Sequence, residues 1–231
     1  MKNWNISSDP IANDAAILTI SQYIAAGLSF FTTAVIARIL GPKDYGMAAL
    51  LISYPMLVWS FVGIKSLSVT TRYISGFRAT GQNEEIKGIC KLGYGLDFLI
   101  SMITFILVTG TGWWVAPHML HLPQMTWLMI IYTASFLFLS LSDTSWSVLS
   151  SWGMWRWLGS FQILDKAIVF IIVLGLLWSG FGIKGLVLGT AIGNIIFWLS
   201  IAIVATYLLW RDEVIFSLDS KLLFWRSGEH Q

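Results

Sequence analysis

Five ionisable side chains stand out in an otherwise greasy chain: Arg72, Asp97, Asp143, Asp165 and Lys166. Ionisable groups close to apolar runs are costly there, and they face a cavity or a partner. Bases in such a set can meet phosphate oxygens while acids hold the bases in position. The same groups can also do no more than pair between helices, with long Lys and Arg stems reaching the surface. Ser140, Asp143, Ser147 and Ser150 recur at spacings of three and four, so a helix puts them on one side. That side faces protein or water. A hydroxyl-lined wall suits a sugar, and it equally suits hydrogen bonding between helices. A similar stripe runs through Gln22, Ala25 or Ala26, Ser29, Thr32 and Thr33.

Enzyme chemistry finds little footing. His118-x-x-His121 has metal-like spacing, but two prolines flank it and no acid or thiol is near. It reads as an outer-loop pair, and no metal or cofactor is expected. No Gly-rich nucleotide loop appears, so an ion or lipid gradient is the expected drive of any transport. Cys90 is the one cysteine, which excludes an internal disulfide. Lys87 and Lys91 beside it favour a thiolate, against the plainer reading of an idle thiol.

The elements that position these residues are membrane spans. Apolar residues make up 56% of the 231 and charged residues 11%, with mean hydropathy +0.74. Soluble domains carry about 25% charged residues. The net charge of +2 argues against nucleic acid as a partner. Ala15 to Ala37 and Tyr45 to Ile64 hold no charge, and about 20 apolar residues cross a bilayer. Gly41-Pro42 between them forbids one continuous helix. Six spans follow, at about 15–40, 46–66, 92–116, 124–150, 161–178 and 185–210. The first is longer than a signal peptide's apolar core and reads as retained. The fold class is therefore all-α and polytopic, with tails at 1–14 and 211–231 around a 15–210 membrane body. Pro55 is a second hinge candidate, since it removes a backbone hydrogen bond within span two. Gly185, Gly189 and Gly193 are spaced by four and predict a flat ridge for helix packing.

Orientation follows from the bases. With the N-terminus in the cytoplasm, the inner segments hold eleven Lys and Arg and the outer ones three: Arg38, Lys43 and Lys184. Both ends are thus expected to be cytoplasmic. Tryptophans cluster at the predicted borders, as at Trp113, Trp114, Trp127, Trp152, Trp155, Trp157, Trp178 and Trp210. The segment Arg72-Tyr73-Ile74-Ser75-Gly76-Phe77-Arg78 suits a headgroup surface or an ordinary solvated connector. Asn83-Glu84-Glu85 reads as a helix start, with Asn as the cap.

Arg38-Ile-Leu-Gly-Pro-Lys-Asp-Tyr-Gly46 resembles the first outer turn of the bacterial polysaccharide biosynthesis membrane proteins. These are the O-antigen and capsule repeat-unit flippases of the multidrug/oligosaccharidyl-lipid/polysaccharide exporter superfamily. Gly63, Thr71-Arg72-Tyr73-Ile74-Ser75 and Gly81-Gln82-Asn83-Glu84-Glu85 are similar to the family's next segment. The likeness is most specific over residues 15–95 and rests on span count beyond.

The resemblance implies two six-helix lobes that rock around a lipid-linked oligosaccharide and pass it across the cytoplasmic membrane. This chain resembles the N-terminal lobe alone, which implies a truncated product, pairing with a second copy, or a separate C-terminal lobe. No apolar run from Asp219 to Gln231 is expected to start a seventh span. In the family the first two spans line the cavity, which makes Gln22 and Ser29 site candidates. Asp97, Asp143, Asp165, Lys166 and Arg72 then become an expected inner ring for the pyrophosphate or for lobe closure, near Lys65 and Arg156. Membrane lipid is the other expected partner. Rival readings are a drug/cation antiporter-like half-transporter, a non-transporting scaffold for polysaccharide enzymes, and an integral-membrane transferase.

Overall fold

A single residue separates the first two helices. α1 (Pro10–Leu40) ends at Leu40, and α2 (Pro42–Val62) starts with proline at its first position. Proline there lacks only an N–H that would have no helical partner anyway. Gly41 between them takes φ +81°, the left-handed region that an L side chain enters at a cost. Its N–H donates to Ala37 O at 2.9 Å, closing α1. Gly41→Ala is expected to destabilise the chain by about 1–2 kcal/mol through strain alone. A Cβ there meets nothing within 4 Å, so no clash contributes. Chemical unfolding in detergent checks this, and a neutral result would mean that the turn relaxes.

The computed structural model describes residues 10–63, 67–119 and 123–212, and only the backbone of 10–13 and 67–69. Lys2, Lys65, His121, Lys221, Arg226 and most of both expected tails lie outside the described residues. No strand occurs among those described. The remaining helices are α3 (Leu67–Ala79), α4 (Asn83–His118), α5 (Thr126–Ala134), α6 (Phe136–Leu139), α7 (Ser142–Ser151), α8 (Trp155–Trp178) and α9 (Gly182–Arg211). Six segments are long and apolar enough to cross a membrane: Asp14–Leu40, Pro42–Val62, Asn83–His118, Pro123–Ser151, Trp155–Trp178 and Gly182–Arg211. The chain is a multi-pass membrane protein.

Helices α4 and α8 start earlier than hydropathy predicts. α4 begins at Asn83, not near Leu92, and α8 at Trp155, not near Phe161. Charged residues on a helix that continues out of the lipid hide its start from an apolar window. Asn83 is itself the first helical residue, with Gln82 at the cap position and no side-chain cap bond. The acids Glu84 and Glu85 do occupy the first turn. Lys166, eleven residues after Trp155, lies about 17 Å along a helix of about 36 Å. It is a mid-span base, and setting it aside changes the expected inner-to-outer ratio of bases to ten to three.

Span four is broken into α5, α6 and α7. Ser135 Oγ donates to Tyr132 O and Ser140 Oγ to Leu137 O, each at 2.6 Å. Such back-bonding competes with the helical ladder and bends it. Helix α8 packs on α1 and α9, and α3 packs across α4 and α7. One buried cluster gathers around Tyr132, Phe136 and Trp198, and a second around Ile74, Val148 and Leu158. The outer surface is apolar as well, with Phe30, Phe61 and Trp178 each more than three-quarters exposed. An apolar exterior suits a hydrocarbon solvent.

Glycines set the closest helix approaches. A Cβ on Gly193 would lie 3.1 Å from Val169 Cα, and one on Gly185 would lie 3.2 Å from Leu176 Cβ. The Gly185–Gly189–Gly193 ridge therefore packs along α8. Gly159 does the same against Ser21 of α1, and Gly93 against Thr144 of α7.

Candidate functional site

A cleft lined by both polar and apolar side chains runs between α1, α2, α8 and α9, in two parts. One part, of about 350 Å³, takes Ser29, Thr32 and Thr33 from α1, Ser53 from α2, Tyr132 from α5, and Thr190 and Asn194 from α9. The other, of about 470 Å³, takes Gln22 and Ser29 from α1, Trp146 from α7, Gln162, Asp165 and Lys166 from α8, and Phe197 from α9. Ser29 and Lys166 line both parts and so join them. Helical spacing explains the lining. Gln22, Ser29 and Thr33 follow one another at seven and four residues along α1, and Gln162, Asp165 and Lys166 fall at i, i+3 and i+4 on α8.

Lys166 Nζ lies 2.6 Å from Asp165 Oδ2. The acid side chain is 10% exposed and the base 42%, so the ammonium reaches into the cleft while the carboxylate sits behind it. Asp165 Oδ1 and Gln162 Oε1 are buried without a hydrogen-bond partner. Tyr132 Oη, beside the other part of the cleft, is also buried without one. The arrangement offers one positive charge, several hydroxyls and two empty acceptors. Among the described residues, Lys166 is the only base lining either part.

The five ionisable candidates do not form one ring. Asp97 and Asp143 lie between α4 and α7, within electrostatic reach of each other. Asp97 is 4% exposed and accepts a 2.7 Å bond from Thr144 Oγ1. Gly93 makes room for this by letting Thr144 approach α4. Tyr94 Oη and Ser145 Oγ bond at 2.8 Å one turn away. Asp143 is half-buried in the first turn of α7, where the helix dipole favours an anion. Thr144→Val keeps shape and removes the donor, so it should cost about 1.5–3 kcal/mol of stability. An unfolding series in detergent reads this out, and a cost near zero would mean that Asp97 finds another donor.

Ser140, Ser147 and Ser150 do share a face, but it is not an open wall. All three are buried, and they donate to the backbone carbonyls of Leu137, Asp143 and Ser147. Their hydroxyls serve their own helices. Pro55 is buried inside an α2 that continues to Val62. Cys90 is buried among Ile86, Val148 and Leu149, where it acts as packing. His118 stacks on Trp114 and its Nδ1 bonds Trp114 O.

Arg72 is exposed on α3. Its neighbour Arg78 is the engaged base. Arg78 donates to Ser151 O at 2.8 Å and lies 4.6 Å from the centre of the Trp152 ring. Trp152 Nε1 in turn donates to Asp212, which also pairs with Arg211 at 2.9 Å. The Arg211 bond, then the Trp152 bond, holds the Asp212 carboxyl below the usual carboxylate range. This clasp ties α3, the end of α7 and the end of α9 together at one end of the bundle.

Sequence reasoning did not single out Gln162, Thr190, Asn194 or Tyr132. Thr190 and Asn194 carry the available signal, as polar residues four apart that each directly follow a ridge glycine. A family model described as "Polysaccharide biosynthesis protein" matches residues 11–228. No curated protein and no solved structure matches the chain.

Proposed function

Because the chain belongs to the polysaccharide biosynthesis protein family, we propose that it moves lipid-linked oligosaccharide repeat units across the cytoplasmic membrane. It acts in this reading as a transporter and not as an enzyme, with both ends in the cytoplasm. The observation that carries the reading is the cleft. An ammonium half-exposed at the centre of a hydroxyl-lined groove suits a diphosphate flanked by sugar. The groove runs along exposed Gln22 and Ser29, so its open side needs a cover. A second six-helix body, either another copy or a separate lobe, supplies that wall. Rocking of the two bodies then exposes the groove to each side in turn. Eleven bases on the inner side against three outside support the orientation, and ten remain when mid-span Lys166 is set aside.

Loss of the gene is expected to leave lipid-linked repeat units accumulating on the inner leaflet while their synthesis continues. Leaflet-resolved labelling of the lipid-linked sugar measures this. Unchanged distribution between leaflets would sink the transport reading and leave a scaffold. Sugar transfer by the detergent-solubilised chain, where no two-sided compartment exists, would instead mark a transferase.

A further inference from the structure

The part of the cleft beside Gln22 holds two features that a diphosphate does not explain. Asp165 Oδ1 and Gln162 Oε1 are both shut off from water and lack donors, although both residues line an opening of about 470 Å³. Buried acceptors are nearly always matched by a donor. A ligand that brings donors would match both acceptors once the two side chains turn toward the opening, since they lie one helical turn apart at spacing i, i+3. A cation is a poor fit, because the Lys166 ammonium lies 2.6 Å from the same carboxylate. An anion is a poor fit as well, since it would face that carboxylate and leave both acceptors empty.

A neutral ligand with adjacent hydroxyls fits. We infer that Gln162 and Asp165 form a monosaccharide subsite, in which their free oxygens accept from neighbouring hydroxyls of a hexopyranose. Trp146 and Phe197 line the same space from α7 and α9. They supply aromatic surface for the apolar C–H face of the ring, which matches the two-sided character of a pyranose. Lys166 joins this subsite to the other part of the cleft and stays available to the phosphates. The cleft is thereby ordered, with the sugar beside Gln162 and Asp165 and the charged linkage at Lys166. The inference rests on the function proposed above, and it adds which residues read the sugar.

The test uses the full chain in nanodiscs. The probes are farnesyl diphosphate and its conjugates with glucose, galactose and N-acetylglucosamine, followed by tryptophan fluorescence. At least one conjugate is expected to bind about tenfold more tightly than farnesyl diphosphate. Gln162→Leu should erase that gain, while Gln162→Asn, which keeps a neutral acceptor, should retain part of it. If no conjugate gains over farnesyl diphosphate on the unmodified chain, the acceptors are satisfied by ordered water and the subsite is overturned, with the transport reading intact. An equal gain in Gln162→Leu overturns it too. If no probe binds at all, the subsite is overturned, while the transport reading is decided by the leaflet-resolved labelling. The unmodified chain decides the matter even where a variant does not fold.

Discussion

Lys166→Met is expected to lower the stability of the folded chain by about 2 kcal/mol, and Asp165→Asn by less than about 1 kcal/mol. The asymmetry comes from exposure. The carboxylate side chain is 10% exposed and the ammonium 42%. Removing the base leaves a buried charge with no compensation, and Oδ1 of the same group already lacks a donor. Removing the acid leaves an ammonium that turns into the cleft and is solvated there. The double variant should recover most of the loss, giving a coupling energy of about 2 kcal/mol in a mutant cycle. Equilibrium unfolding in detergent measures all four forms. Transport should respond in a different order. Both single variants keep the hydroxyls, but only Lys166→Met removes the cleft's positive charge, so its flipping rate should fall by about 100-fold. If Asp165→Asn were the costlier change for stability, the pair would be buried the other way round and the cleft would lose its central charge.

The apolar bookkeeping of the chain made the span number and the Gly41 turn readable. Length and absence of charge are written directly in the residues from Ala15 to Ala37 and from Tyr45 to Ile64. Helix ends were not readable by the same rule. Lys87, Lys91 and Arg156 sit on helices that extend past the apolar window, so α4 and α8 start early and Asp165 lies deeper than its run suggested. α3 hid for a related reason. It is a short helix with Arg72 and Arg78 on it and Ile74 fully buried, which reads as a polar loop when averaged.

The candidate site was half legible. Gln22, Ser29, Asp165 and Lys166 were singled out as separate residues on two spans, and the fold brings them to one cleft. Periodicity alone gives the face of a helix but not what the face meets. The serine stripe of span four had correct spacing, yet Ser140 bonds the preceding turn and helps break the helix it was placed on. Tyr132 escaped because a lone polar group in an apolar run carries no sign of whether it faces lipid, protein or cleft.

Gly189→Leu tests the scaffold on which all of this depends. A Cβ at Gly189 would lie 2.9 Å from Val173 Cγ2 and 3.0 Å from Val173 Cα. The second contact is backbone, so a rotamer change of Val173 cannot relieve it. Leucine adds three further carbons in the same direction, and α8 must move off α9. Overpacking of this kind costs about 1–3 kcal/mol in soluble cores. Here the cost should reach or exceed the top of that range, since α8 also carries the close contact of Gly159 with Ser21 on α1. A shift of α8 disturbs both faces at once and moves Gln162, Asp165 and Lys166 relative to Gln22. Gly175→Leu on the lipid-exposed side of α8 is the control, because a Cβ there meets nothing within 4 Å. The expected result is that Gly189→Leu inserts into the membrane but loses thermal stability in detergent and loses a disulfide crosslink engineered between α8 and α9. Gly175→Leu should retain both. Equal stability of the two variants would mean that α8 and α9 are not in close contact, and the cleft they wall would have to be redrawn.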